Sequence, residues 1–428
     1  MTYARLLLGA TLVLAGGCSG AQTAYQPSAL SASGTTMQTS RSAPTAVLSR
    51  QAVPAGFIRQ VAGKVPIQGG SSVEFAAVRP MDRTHPSTAL RVSAKANSWK
   101  LQATLPGAII HDIAFPTSSV GYAAGEAGQV WKTTNGGATW TKVMNVGDPY
   151  YWYGVSALSA KDVVVSGFVD ASAQEGVIQW SHDGGSTWGK VIVLYAPGST
   201  RTNLWLGRVR FANEKDGLIL SLQEPTTSYY TVDGGPTSPD WTSVWVDPSG
   251  SGTDEGWLGP EFSLRGKYAR ASGTGYCSSK NGGAAWNCGP SVDSVFDGPL
   301  FFSKDGAGWV GGGEISPSVA GWVHRTTDGG KTWSGRTLQS PIPIRELLFI
   351  SPDIGWAAGG NYNDIGGIYF SSDGGKTWTL DLNTNGHEMG ACASKKVPKG
   401  YQVWCAGFAS ASSGWNSTVY TTLYRSAQ

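Results

Sequence analysis

An octapeptide with a hydroxyl residue first, Asp or Asn third, a Gly-Gly pair and, in full copies, a closing Trp recurs along this chain and limits its fold more than any other feature. It reads TTNGGATW at Thr133–Trp140, SHDGGSTW at Ser181–Trp188, SKNGGAAW at Ser279–Trp286, TTDGGKTW at Thr326–Trp333 and SSDGGKTW at Ser371–Trp378. A sixth copy, TVDGGPT at Thr231–Thr237, reaches Trp241 only after Ser238-Pro239-Asp240. The tryptophans at 140, 188, 241, 286, 333 and 378 lie 48, 53, 45, 47 and 45 residues apart, the period of a repeat architecture. Physically the octapeptide is a hairpin turn. The hydroxyl and the Asp or Asn two places on can hydrogen-bond local backbone, and the glycine pair supplies the positive φ of a tight reversal.

A short strand runs before and after each turn, as in Gly128–Trp131 and Thr139–Val143. Two more precede it in most copies. Ile113–Phe115 leads to Val120–Gly125, Leu348–Ile350 to Ile354–Gly359, Phe301–Phe302 to Gly308–Gly311 and Arg210–Phe211 to Gly217–Leu220. Four short strands per period of this length predict a β-propeller blade, and blades that cannot stand alone form one domain. The chain ends complete the count. Tyr401–Gly407 and Thr418–Tyr424 match a second and a third strand with no fourth behind them, while Asn97–Leu101, with Trp99 in the box position, matches a fourth strand without its first three. A blade shared by both termini leaves no free sheet edge. The expected fold is therefore all-β, a seven-bladed β-propeller closed by strands from both termini, with six and eight blades as the neighbouring solutions.

Eighteen Trp and 59 Gly in 428 residues agree with buried indoles and many reversals, and argue against disorder and against a helical bundle. Lys+Arg 32 against Asp+Glu 29 gives a net charge of +3 with no long basic run, so the electrostatic footprint of a nucleic-acid binder is missing.

Ahead of the repeats, Arg5 precedes the apolar run Leu6–Leu14 and then Ala15-Gly16-Gly17-Cys18. A basic residue, an apolar stretch too short to span a bilayer comfortably and a set of small residues describe an export signal. Residues 1–17 resemble a bacterial lipoprotein signal peptide, which implies cleavage before Cys18 and a lipid on it. Ala15 departs from that pattern, where Leu is usual, and an ordinary secretory peptide with an incidental Cys is the alternative. Ser19 beside a lipidated Cys implies the outer membrane of a Gram-negative cell envelope. Residues 18–56, rich in Ser, Ala and Thr, read as a flexible tether, 57–96 as an N-terminal extension packing on the propeller, and 97–428 as the propeller.

Setting Cys18 aside leaves Cys277, Cys288, Cys392 and Cys405, an even set in an exported chain, which points to two disulfides. Three pairings are open. Separations of 11 and 13 favour a local bridge in each half, and zinc is disfavoured because neither pair has ligand spacing. Cys277 and Cys288 stand symmetrically about the box Ser279–Trp286 and so face each other across that hairpin. Cys392 and Cys405 would join the first and second strands of the closing blade.

The boxes match the Asp-box, or BNR repeat, of sialidases, sortilin-type receptors, xyloglucanase-type glycoside hydrolases and photosystem II assembly factors. The fuller pattern is a Phe, then a Gly-aromatic-Ala/Val-x-Gly strand, then the box. Over residues 97–425 it most resembles the photosystem II assembly and stability factor family. The resemblance implies that the boxes lie at outer turns away from the binding face, so that Asn135, Asp183, Asp233, Asn281, Asp328 and Asp373 are structural. The Arg-Ile-Pro motif of sialidases is not matched by Phe57-Ile58-Arg59-Gln60 or by Pro343-Ile344-Arg345-Glu346. A glycoside hydrolase needs two carboxylates across a cleft, for which Asp112, Glu261, Glu346 and Glu388 are candidates. His85, His111, His182, His324 and His387 show no metal-ligand spacing, and no phosphate-binding loop or nucleophile elbow occurs, so neither metal nor cofactor is expected.

Aligning the blades on Phe115, Phe211 and Phe349 places His111, Asp112, Arg208, Arg210, Arg345 and Glu346 on or just before innermost strands. Tyr151, Trp152 and Tyr153 take the matching place in the second blade. That end of a propeller surrounds the channel mouth, and Arg with aromatic residues suits a protein-binding face. Pairing of the arginines with neighbouring acids is the competing expectation. The expected function is a monomeric, lipid-anchored, non-enzymatic scaffold for an exported or membrane protein. A carbohydrate-active propeller, hydrolase or glycan-binding protein, is the alternative. Replacing the lipid acceptor, Cys18→Ser, is expected to release the protein from the membrane fraction of its host, and unchanged sedimentation with membranes would refute the anchor.

Overall fold

The computed structural model describes residues 98–170, 175–198, 205–222, 226–233, 241–246, 261–265, 267–272, 275–293, 297–314, 320–361, 365–384, 386–411 and 414–425, with the backbone of 63–66 and 72–75. The export signal at 1–17, Cys18, the tether at 18–56 and the packing of 57–96 on the propeller lie outside the described residues. Strands β1 (Gly63–Pro66) and β2 (Ser72–Phe75) pair as an antiparallel hairpin. Next in the chain is β3 (Lys100–Pro106), which belongs to the last blade.

Each remaining sheet is a four-stranded antiparallel meander. Blade 1 holds β4 (Ile110–Ala114), β5 (Gly121–Gly125), β6 (Gln129–Thr133) and β7 (Thr141–Asn145). Blade 2 holds β8 (Tyr150–Ala157), β9 (Val163–Val169), β10 (Glu175–Ser181) and β11 (Ile192–Leu194). In blade 3 these are β12 (Leu206–Phe211), β13 (Gly217–Ser221), β14 (Thr227–Thr231) and β15 (Thr242–Trp245). Blade 4 has β16 (Glu261–Arg265), β17 (Tyr268–Ser272), β18 (Gly275–Ser279) and β19 (Asn287–Pro290). Blade 5 has β20 (Asp297–Phe302), β21 (Gly308–Glu314), β22 (Ala320–Thr326) and β23 (Leu338–Ser340). Blade 6 is β24 (Ile344–Phe349), β25 (Gly355–Asn361), β26 (Ile365–Ser371) and β27 (Thr379–Asn383). Blade 7 is β28 (Glu388–Val397), β29 (Gly400–Ala411) and β30 (Gly414–Tyr424), completed by β3 from the other end of the chain. First strands touch in the order β4, β8, β12, β16, β20, β24, β28 and back to β4, so they surround a central channel. The fold is a seven-bladed β-propeller. Its fourth closing strand begins at Lys100, three residues later than the sequence suggested. Trp99 stands one residue before that strand, as Trp140, Trp286 and Trp378 stand before theirs.

The octapeptides form the turn between third and fourth strands. In blade 6 the Ser371 hydroxyl donates to Asp373 Oδ1 (2.8 Å) and accepts from the Gly375 amide (2.8 Å). Asp373 accepts from the amide and hydroxyl of Thr377 (3.0 and 2.6 Å). Gly374 and Gly375 sit at φ 77° and 75°, where a side chain would be strained. The same bonds recur from Ser181 to Thr187 and from Thr326 to Thr332. The Thr187 hydroxyl and amide hold the Asp183 carboxyl down at about 2, and those of Thr332 hold the Asp328 carboxyl well below the usual carboxylate range. Asp and Asn are interchangeable here because the bonds need an acceptor rather than a charge, as Asn135 shows by accepting from the Thr139 amide (2.9 Å).

The preceding blade donates to the turn of the next. Trp404 Nε1 bonds the Gly136 carbonyl (2.8 Å), Lys132 Nζ that of Gly184 (2.7 Å), the Ser228 hydroxyl that of Gly283 (2.9 Å) and Trp309 Nε1 that of Gly374 (2.9 Å). In blades 1, 3, 5 and 6 a Phe at the end of the first strand lies flat on the glycine that opens the second strand. A Cβ on Gly121, Gly217, Gly308 or Gly355 would fall 2.3–2.6 Å from the ring of Phe115, Phe211, Phe302 or Phe349. Phe115 and Phe349 also stack on Trp404 and Trp309 of the preceding blade, at 3.8 and 3.6 Å. The core is thus a row of identical wedges between sheets, each burying indole and phenyl area worth about 2–3 kcal/mol per side chain.

Two bridges form as the cysteine spacing favoured: Cys277–Cys288 across β18 and β19, and Cys392–Cys405 across β28 and β29. Blade 7 has no octapeptide for blade 6 to contact. Trp356 Nε1 instead donates to Asp381 Oδ2 of its own blade (3.2 Å), and Trp99 Nε1 donates to the same oxygen (2.7 Å). Asp381 thereby joins the closing strand to blade 6. Asp381→Ala strands two indole N–H groups and is expected to lower unfolding stability in urea by about 2–4 kcal/mol, with Asp381→Asn, which keeps an acceptor, costing clearly less. Equal loss in both variants would refute this role.

Candidate functional site

Bulges in the first strands build the channel wall. Pairing with the second strand shifts register between Ile110 and Asp112, Trp152 and Gly154, Leu206 and Val209, Ile344 and Glu346, and Met389 and Ala391. The residues at these shifts are His111, Tyr153, Arg208, Arg345 and Gly390. A bulge frees backbone groups from the ladder and re-aims a side chain. Both consequences meet at Arg208. Its Nη2 donates to the carbonyls of His111 (3.4 Å) and Gly390, its Nη1 to Glu346 Oε2 (2.6 Å), and its Nε lies 3.8 Å from Asp112. One guanidinium therefore links blades 1, 3, 6 and 7 across the channel, a use of the five-donor fork that an ammonium could not copy.

The other predicted residues join the same arrangement. Arg210 binds both oxygens of Asp112 (2.6 and 3.0 Å), and Asp112 also accepts the amides of Ile113 (3.0 Å) and Val155 (2.8 Å). Arg345 Nε pairs with Glu388 (3.2 Å), and Glu346 accepts the Leu347 amide (3.2 Å). Three guanidinium groups thus face three carboxylates. The residues expected at an open mouth are turned inward instead: Asp112, Arg208 and Glu388 are buried, while Arg210 keeps 32% and Glu346 13% of its side-chain exposure. Burial pushes the Glu388 carboxyl up to about 7 against the pull of Arg345, and raises Glu346 against Arg208 and Arg210. Glu261 lies on β16, but its side chain is outside the described residues.

Aromatic rings continue the wall. His111 stacks on Tyr153 at 4.3 Å with its Nε2 3.4 Å from Glu126, and burial drives the Tyr153 hydroxyl far above its ordinary range. Tyr151 and Trp205 each stack on Phe168, at 5.0 and 4.9 Å, with Tyr153 tilted against Phe168 at 5.5 Å. On the other side His111 meets Phe408 edge-on (6.3 Å), and Phe408 meets Trp415 (5.9 Å). The arc from Trp415 to Trp205 spans blades 7, 1, 2 and 3, and its end residues are half-buried on the face where first and third strands begin. Trp152 points the other way, fully buried between blades 1 and 2. Glu126, Phe168, Trp205, Phe408, Trp415 and Gly390 were not anticipated; a single inserted residue in a strand leaves no mark in a sequence read without relatives. Asn135, Asp183, Asp233, Asn281, Asp328 and Asp373 are all at or beside third-strand ends, on the opposite face.

No protein-family model and no curated relative matches the chain. Solved structures do. The chain is similar to YCF48 bound to a D1 peptide, with 19% identity and TM-score 0.54 over 77% of this chain and 97% of that one. It is similar also to YCF48 from Cyanidioschyzon merolae, with 19% identity and TM-score 0.52 over 76% and 98%. The WD40 propeller domain of Doa1 matches with 9% identity and TM-score 0.52 over 76% and 97%. What they share with this chain is the fold.

Glu388 holds its proton up to about pH 7 in the folded chain, against an ordinary 4.5 when unfolded. Between these values the folded state binds the extra proton, so the contribution is complete below pH 4.5 and declines as pH rises to 7. At about 1.4 kcal/mol per pKa unit the decline is on the order of 3 kcal/mol. Glu388→Gln, neutral throughout, is expected to remove that part of the slope from urea unfolding curves taken across this pH range; an unaltered slope would contradict it.

Proposed function

We propose that this protein is a non-enzymatic scaffold that binds an exported or membrane protein at the channel face, with the chain exported and held at the cell envelope, at the outer membrane, by a lipid on Cys18. The observation that carries the reading is the pairing of each first-strand carboxylate whose side chain is described with an arginine: Asp112 with Arg210, Glu346 with Arg208, Glu388 with Arg345. A glycosidase needs one carboxyl free to protonate the leaving group and another facing the sugar or water. Acids locked into buried ion pairs serve the ring instead. The half-buried tryptophans at the ends of the aromatic arc, Trp205 and Trp415, and the exposed part of Arg210 have the composition of a protein-binding hot spot. The solved YCF48 complex with a D1 peptide supports the idea that a propeller of this type can hold a peptide. No link to photosynthesis is implied for this chain.

The carbohydrate-active reading rests on one feature, the proton kept by Glu388 near neutrality, which is what a general acid requires. One experiment separates the two. The protein is crosslinked in its host, its partners are identified by mass spectrometry, and the purified chain is assayed on cell-envelope glycans in parallel. An exported or membrane protein is expected to crosslink, in amounts reduced severalfold by the double substitution Trp205→Ala/Trp415→Ala, without glycan turnover. Glycan hydrolysis that is lost in Glu388→Gln, with no protein partner recovered, would overturn the scaffold.

A further inference from the structure

The closing blade lacks a part that the other six carry. Elsewhere the octapeptide turn fills the corner between third and fourth strands, but β30 and β3 come from opposite ends of the chain and no turn joins them. The corner is left as a cavity of about 850 Å³, walled by β29, β30 and β3 on one side and by the blade 1 turn at Asn135 and Gly136 on the other. That volume falls in the range of roughly 300–1,000 Å³ typical of small-molecule sites. It lies on the face of the octapeptide turns, opposite the starts of the first strands, so nothing about it depends on the channel reading above.

The lining is polar and of one sign. Lys100 and Arg425 reach the cavity, both exposed, and among the described residues neither has an acidic partner and no Asp or Glu lines it. Gln102 and Gln402 add amides. The Gln402 amino group is committed to Thr421 and to the Thr422 carbonyl (3.0 Å), which leaves its oxygen as an acceptor. Ser98 and Ser118, both exposed, bring hydroxyls to the lining. Trp404, fully buried and stacked on Phe115, closes the floor of the cavity, with its N–H taken by Gly136 (2.8 Å).

We propose that this notch binds an acidic sugar, a carbohydrate carrying a carboxylate or phosphate. Two cations with no acidic partner among the described residues select for negative charge and can form charge-assisted hydrogen bonds. A bare ion would leave most of the volume empty and the amides unused. Amide and hydroxyl groups beside the two cations are suited to a ligand that presents several hydroxyls at fixed angles. The site exists because the ring is closed here by two chain ends and not by an octapeptide turn.

The full chain is titrated by calorimetry with trigalacturonate, mannose 6-phosphate, uncharged lactose and inorganic phosphate. At least one of the acidic sugars is expected to bind saturably and about tenfold or more tighter than both lactose and phosphate. The double substitution Lys100→Gln/Arg425→Gln is expected to weaken that binding by about tenfold or more with an unchanged thermal unfolding midpoint. Absence of acidic-sugar binding, phosphate binding as tight as the sugar, or equal affinity in the double variant would overturn the proposal.

Discussion

Everything in this molecule depends on one pairing, the antiparallel ladder between β30 and β3. A row of blades presents an unsatisfied edge at each end, and backbone donors and acceptors left there are costly and prone to pair with other chains. Drawing the last strand from the opposite end of the chain removes the problem in a single step. The surrounding interactions are concentrated at that seam. The Cys392–Cys405 bridge fixes the two strands on the inner side of the same blade, and Asp381 gathers the indoles of Trp99 and Trp356 from both sides of it. On the far side, Trp404 stacks on Phe115 and bonds the turn at Gly136, so blade 7 holds blade 1 as firmly as blade 5 holds blade 6 through Trp309.

A closed ring brings seven first strands together at its centre, where their side chains have little room and no bulk water. The bulges at His111, Tyr153, Arg208, Arg345 and Gly390 respond to that crowding. Each releases the strand from strict alternation, and the carbonyls so freed at His111 and Gly390 need donors. Arg208 supplies them and is balanced in turn by Glu346. Buried ion pairs of this kind carry a desolvation penalty that largely cancels their attraction, so their main effect is to specify one arrangement of blades 1, 3, 6 and 7. The channel is consequently a polar keystone with an aromatic arc beside it. Its end residues, Trp205 and Trp415, are half-buried, whereas Asp112, Arg208 and Glu388 in the charged centre are buried.

Much of the architecture was legible before any coordinates. The octapeptide encodes a turn whose hydrogen bonds are local, running from Ser371 to Asp373, Gly375 and Thr377 within seven residues, so each copy can be interpreted alone. The Phe and Gly of the longer motif also proved to be partners in space, since Phe349 lies on Gly355. The disulfides follow from the same local geometry, because the partners of each sit directly opposite one another in a hairpin. The channel site was only half legible. Its charged residues could be named from their place on innermost strands, but their mutual pairing could not, since Arg208 and Glu346 are 138 residues apart.

The division has a physical origin. The sequence by itself determined the blade, its turn, the number of blades and the exchange of strands between the termini, because strands and hairpins are specified by periodicity and by contacts a few residues apart. Tertiary structure alone decided where each first strand bulges, which acid meets which arginine, how rings from blades 7, 1, 2 and 3 align, and that the corner of blade 7 stays open. Those outcomes are set by how seven nearly equal wedges share one centre and by the missing turn where the circle closes, which no single repeat contains.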